Sequence, residues 1–174
     1  EIARAGREPV LGLMPVPGDV DVMIAAELME AGRAVQRGLV TPDRTTLIAS
    51  THRVYAISER SAPAEGRSPA APVLEAAQAQ SRHFVGFDME ATAQEGGSVI
   101  SAALFGALAA SGCLPFGRDA FEQAIRRAGV GVNTSLATFA GGFDAALAAR
   151  ACAASIPMPM TGAGEGTSST APPA

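Results

Sequence analysis

A carboxylate stands directly after an apolar stretch that has the pattern of a buried strand. The stretch is Asp19–Ala26, continuously apolar from Val22 onward, and Glu27 follows it at the start of a helical pattern. Ligands of open α/β sheets gather at the carboxyl ends of strands, where a carboxylate accepts hydrogen bonds from hydroxyl or amine groups. The alternative is structural, because a glutamate in the first turn of a helix interacts favourably with the helix dipole. Glu27 is therefore a candidate ligand residue that also has a purely structural explanation.

A second polar cluster ends the next apolar run. Ser50, Thr51 and His52 are followed directly by Arg53. Two hydroxyls, an imidazole and a guanidinium at one strand end could hold a phosphate or a carboxylate. Ordinary turn chemistry explains the serine and the threonine equally well. Because no partner that would make His52 a catalytic base can be identified, we expect ligand contact at most and name no catalytic residue.

A glycine pair before a long apolar helix forms the third candidate. In the stretch EGGS, Gly97 and Ser98 precede this helix and could present backbone N–H groups to an anion. The stretch is neither a G-x-G-x-x-G fingerprint nor a P-loop. A glycine stop followed by Ser98 as the N-cap of the next helix is the more common arrangement. His52 and His83 are the only histidines, and neither has a second ligand at helical spacing, so no metal site is predicted.

These candidates lie on alternating predicted strands and helices. The pattern predicts a largely parallel sheet covered on both faces, a three-layer α/β/α fold. A Pro/Ser/Gly-rich loop is predicted over Ser61–Pro72, and the glycines at 141 and 142 predict close packing against another helix or chain. The predicted strands are Pro9–Met14, Asp19–Ala26, Arg44–Thr51, an edge continuation Arg53–Ser58, and Arg82–Asp88. The predicted helices are Glu27–Gln36, Val73–Gln80, Met89–Gly97, Val99–Ser111, Arg118–Ala128 and about Thr134–Cys152.

Composition excludes several classes of protein. The chain has 174 residues, a net charge of −4 and 13 scattered basic residues, which disfavours nucleic-acid binding. Its two cysteines lie far apart, so we expect neither a zinc nor an iron–sulfur site and infer a reducing, cytoplasmic location. The uncharged stretch Gly96–Gly117 is interrupted by serines, glycines and Pro115, which predicts a buried helix and no membrane span. We expect one domain over residues 1–153 and a disordered low-complexity tail or linker over residues 154–174.

The order of these segments is similar to a known enzyme family. The stretches GDVDVMIAAELMEAGRAVQRG, FDMEATAQEGG and NTSLATFAGGFDAAL, within a match over about Gly6–Ala149, resemble the beta subunit of indolepyruvate ferredoxin oxidoreductase. The broader group is the gamma-type domain of 2-oxoacid:acceptor oxidoreductases, of the pyruvate/ketoisovalerate type. The resemblance implies a three-layer α/β/α domain that packs on a thiamine-bearing subunit and helps to hold coenzyme A.

The resemblance also implies an activity that belongs to a complex. The family oxidatively decarboxylates aryl pyruvates with thiamine diphosphate and passes electrons through iron–sulfur clusters to ferredoxin. Neither a thiamine motif nor a cysteine set for clusters occurs here, so both cofactors are expected on the thiamine-bearing partner, and this chain alone is expected to be inactive. The family's opening strand with its G-x-G-G-Q-G turn is also missing, so we expect a sheet without its N-terminal strand.

The sequence is also compatible with two other functions. One is a non-catalytic α/β binding or scaffold module, in which Ala/Gly-rich helices such as Val99–Ser111 dock a partner subunit. The other is an independent nicotinamide enzyme, which the absence of the fingerprint glycines disfavours.

Overall fold

Three parallel strands form the centre of the structure, a computed structural model that describes residues 12–52 and 70–154 together with positions 6 and 8. The strands are β1 (Val22–Ala25), β2 (Thr46–Ser50) and β3 (His83–Phe87), and they pair in the order β1-β2-β3. Val22 pairs with Thr46, and Thr46 pairs with His83, so the three strands start at one edge and end at the other. The described chain therefore has the predicted α/β class.

Helices cover both faces of this sheet. The first two described helices lie in the connections from β1 to β2 and from β2 to β3. The order of the strands in the sheet follows their order in the chain, so connections of the same hand place both helices on one face. Their contacts are with each other and with the sheet, whereas the fourth and sixth helices pack on the opposite face. The helices are α1 (Leu28–Gln36), α2 (Ala70–Ala79), α3 (Met89–Gly96), α4 (Ile100–Ser111), α5 (Arg118–Ala128) and α6 (Val132–Ala154).

The central strand β2 divides the core into two apolar clusters. Successive side chains of a strand point to opposite faces, so Leu47 packs with α1 and α2 while Ile48 packs with α4 and α6. Every residue of β2 is buried. The continuous apolar pattern of Asp19–Ala26 predicts a strand buried on both faces. This prediction is wrong for β1, because Ile24 is 40% exposed. Met23 and Ala25 pack on the α1/α2 face, so Ile24 points to the opposite face. There Val22 packs against the apolar cluster and Ile24 does not, so the helices of that face leave this part of β1 uncovered.

Close helix packing explains the glycine pair. A Cβ atom on Gly142 would lie 2.8 Å from the Cα atom of Ala103, and one on Gly106 would lie 2.8 Å from the backbone nitrogen of Phe143. Glycines at these two positions let the backbones of α4 and α6 approach more closely than alanines would. The predicted close approach at Gly142 is confirmed.

Several predicted boundaries change in the structure. Helix α2 begins at Ala70, inside the predicted loop Ser61–Pro72. Pro72 is tolerated there because N–H groups in the first turn have no partner within the helix. The strand predicted over Pro9–Met14 is absent at its described residues 12–14, where Leu13 is fully exposed.

Some sequence predictions fall on residues that the structure does not describe. These are the edge continuation Arg53–Ser58 and residues 155–174 of the predicted tail, whereas its first residue, Ala154, is the last residue of α6. Among the helices of the described ranges, none combines the length and the apolar character that crossing a membrane requires.

Candidate functional site

The carboxyl edge of the sheet brings together two of the predicted site segments. The backbone N–H of Leu28 donates to the carbonyl of His52 at 3.3 Å, which ties the start of α1 to the end of β2. The N–H of Thr51 donates to the carbonyl of Phe87 at 2.9 Å. Glu27, Thr51 and His52 therefore lie at one edge, as the parallel arrangement predicts.

Ser50 organises this edge from inside. Its side chain is 0% exposed, and its hydroxyl oxygen accepts hydrogen bonds from the N–H groups of Met89 and His52, each at 3.2 Å. These bonds join the end of β2 to the first residue of α3. Ligand contact by Ser50 stays a prediction, whereas its support of the backbone is a direct observation.

The two acidic residues at this edge are used differently. Asp88 is the N-cap of α3, and its carboxylate accepts a hydrogen bond from the N–H of Ala91 at 2.9 Å. Glu27 is the N-cap residue of α1, with extended backbone, yet its side chain makes no capping hydrogen bond. The half-buried Glu27 carboxylate is thus not engaged in capping, although it lies near the positive end of the α1 dipole.

Both helix N-termini at this edge favour anions. Helices α1 and α3 begin where β1 and β3 end, so their first N–H groups and their positive dipole ends lie at the carboxyl edge. The half-buried His52 lies between them in chain order and at the same edge. The Asp88 carboxylate already occupies the N-terminus of α3, so the arrangement can hold a further anionic group at the N-terminus of α1 and, through Glu27, accept a hydrogen bond from a hydroxyl or an amine.

Gly97 and Ser98 lie at the far end of α3. Gly97 ends this helix in the left-handed conformation, with φ 67°, which confirms the predicted glycine stop. The eight residues of α3 separate this pair from the carboxyl edge by about 12 Å of helix. Ser98 is not the N-cap of α4, because Val99 holds that position and the Ser98 hydroxyl instead lies 3.3 Å from that of Ser135. The structure thus separates Gly97 and Ser98 from Glu27 and His52.

The amino edge of the sheet carries a cavity of about 270 Å³ that the sequence did not indicate. The residues around it come from four distant segments, and their register becomes visible only in the fold. The only sequence signal was a pair of cationic or titratable residues, Arg82 and His83, at the start of a strand. The polar residues that line the cavity are Thr46, Arg82, His83, Ser111, Cys113 and Arg150.

Two groups of charged side chains shift the pKa values of their members. A hydrogen bond from Arg44 holds the pKa of Asp21 below its ordinary value, and the same bond raises the pKa of Arg44. Hydrogen bonds from Arg118 and Arg126 lower the pKa of Glu122. Within the described ranges, no three His, Cys, Asp or Glu side chains are grouped as a metal site would require.

Comparisons with protein-family models, curated proteins and solved structures find no match to this chain.

Proposed function

We propose that this chain is an accessory, coenzyme A-side domain of a 2-oxoacid:ferredoxin oxidoreductase that acts on indolepyruvate or a similar aryl pyruvate. The proposal rests on the resemblance of the sequence segments, and the three-layer α/β arrangement agrees with the fold which that resemblance implies. The observation that supports a ligand role is the convergence of Glu27, His52 and two helix N-termini at the carboxyl edge.

The chemistry of this edge fits the phosphates of coenzyme A. The N-terminus of α1 and His52 would hold phosphate oxygens. Glu27 would accept a hydrogen bond from an amine or a hydroxyl of the same ligand. Coenzyme A supplies the thiol that carries off the acyl product, and this chain's part is to bind and orient it.

The redox chemistry is assigned to a partner. The described residues contain no donor set that fits an iron–sulfur cluster, which needs several thiolates. The proposal therefore places thiamine diphosphate and the clusters on a thiamine-bearing subunit, from which ferredoxin receives the electrons. The complex would be cytoplasmic, and the isolated chain would have no turnover.

Reconstitution with the thiamine-bearing subunit tests this function. The complex should reduce a dye in the presence of indolepyruvate and coenzyme A, while each subunit alone should not. Glu27→Gln should raise the KM for coenzyme A, whereas Glu30→Gln, in the first turn of the same helix and paired with Arg33, should leave it unchanged. An active complex in which both variants behave alike would remove Glu27 from the site. Inactivity towards every aryl pyruvate tried would refute the substrate assignment.

An apolar groove favours a second candidate, the non-catalytic docking module. The groove has a volume of about 330 Å³ and includes Phe116, which is 53% exposed. Its other lining residues are Phe105, Leu114, Ala120, Phe121 and Ala124. Calorimetry separates the two functions, because firm binding of the thiamine-bearing subunit without any heat from coenzyme A would favour docking alone.

A further inference from the structure

We infer that the cavity at the amino edge of the sheet binds a small oxyanion, a phosphate or a carboxylate, through Arg82, His83 and Arg150. This site lies at the opposite edge from Glu27 and His52, and the inference does not rest on the proposed function.

The strand register builds one wall of this cavity. Thr46 and His83 are paired first residues of β2 and β3, and Arg82 immediately precedes β3. The C-terminal end of α4, with Ser111 and the following Cys113, forms another part of the lining. The volume of about 270 Å³ lies just below the usual range for drug-sized ligands, about 300–1,000 Å³. The ligand must therefore be compact.

The charges around the cavity have one sign. Two guanidinium groups line it, and no carboxylate does. Elsewhere, Arg44 and Arg118 are paired with carboxylates. The side chains of Arg82 and His83, in contrast, make no hydrogen bond or ion pair with any residue in the described ranges. Both residues are exposed, and no side chain within those ranges competes with a ligand for them.

Arg150 is held in place by the end of α4. Its Nη1 atom donates to the carbonyl of Ala110 at 2.6 Å and to that of Ser111 at 3.1 Å. The contact offsets the negative end of the α4 dipole, which would otherwise repel an anion. It also leaves Nε and Nη2 of the guanidinium without a described partner. A fixed guanidinium is well suited to carboxylates and phosphates, which it can bind through two parallel N–H donors.

Cys113 provides a reporter at this site. The residue lines the cavity and is exposed, and a Cys152→Ser background leaves it as the only thiol, because the chain has two cysteines. Anionic iodoacetate and neutral iodoacetamide both react with the thiolate. The rate with iodoacetate divided by the rate with iodoacetamide is therefore independent of the thiolate fraction, and it rises with the positive electrostatic potential at Cys113. We expect Arg82→Gln to lower this ratio about two- to fivefold, the effect of removing one nearby charge in water.

A control and a binding measurement complete the experiment. Arg127→Gln, which removes the same charge outside the cavity lining, should leave the rate ratio unchanged, and thermal unfolding should show that both variants are folded. In the Cys152→Ser protein, inorganic phosphate or acetate should slow the reaction of Cys113 with neutral iodoacetamide, whereas chloride at equal ionic strength should not. Protection by phosphate alone or by acetate alone identifies the ligand class. An unchanged ratio in Arg82→Gln, or equal protection by chloride, overturns the assignment.

Discussion

The Ser50 hydroxyl accepts a hydrogen bond from the backbone N–H of Met89 at 3.2 Å, across 39 positions of sequence. This contact joins the end of the central strand to the first residue of α3. The same oxygen also accepts a hydrogen bond from the N–H of His52. One buried side chain therefore holds both the segment after β2 and the start of α3 at the candidate ligand edge.

Ser50→Ala should lower the free energy of unfolding by about 1–3 kcal/mol, because two N–H groups lose their acceptor inside the protein. Ser101→Ala is a matched control, since Ser101 is exposed on α4 and its replacement should change stability by less than about 0.5 kcal/mol. Urea unfolding followed by circular dichroism measures both. Equal stabilities of the two variants would contradict the role assigned to Ser50.

Asp88→Ala should destabilise the protein by about 0.5–2 kcal/mol, because the N–H of Ala91 loses the carboxylate that caps α3. Asp88→Asn keeps an acceptor oxygen at the same position and should recover most of this loss. Thermal unfolding of the three proteins at one pH measures the effect. If the asparagine variant were as unstable as the alanine variant, capping would not be the function of Asp88.

The sequence predicts local elements better than it predicts their surroundings. Helix α5 and the end of α1 lie where the spacing of apolar residues places them, and β2 lies within the predicted strand Arg44–Thr51. The exposure of Ile24 was not predictable in the same way. It depends on how far the helices of the α4/α6 face extend over β1, and a single strand's composition does not reveal that.

The functional sites could likewise be predicted only in part from the sequence. The shared edge of Glu27 and His52 follows from a parallel sheet, so their proximity could be predicted from the order of elements. The cavity around Arg82 and Arg150 could not be predicted, because it depends on the packing of α6 against α4. That packing is set by glycines at 106 and 142, which mark a close approach without revealing which helices meet.

Gly142→Ala should destabilise the protein by about 1–3 kcal/mol, the usual cost of overpacking. The new methyl group would meet the backbone of Ala103, and two packed helix backbones cannot shift locally to admit it. Gly141→Ala is the neighbouring control. Its methyl group would approach only the side chain of Thr92, at 3.1 Å, and the higher helix propensity of alanine favours it by about 1 kcal/mol. A Gly142 variant as stable as the Gly141 variant would contradict the close packing of α4 and α6.

Glu122→Gln should weaken the dependence of stability on pH in the acid range. Arg118 and Arg126 donate to the Glu122 carboxylate at 2.8 and 3.0 Å and lower its pKa in the folded protein. The ion pairs therefore contribute stability above the unfolded pKa of about 4.3, and that stability is lost as the pH falls through the lower folded value.

Unfolding free energies measured between about pH 6 and pH 3 should consequently fall less steeply for Glu122→Gln than for the unmodified protein. Glu75→Gln is the control, because Glu75 is exposed on α2 and makes no ion pair within the described part of the chain. Added salt should reduce the difference between the two variants, since it screens exposed charges. Identical acid slopes for Glu122→Gln and Glu75→Gln at low salt would show that the Arg118–Glu122–Arg126 cluster does not stabilise the folded state.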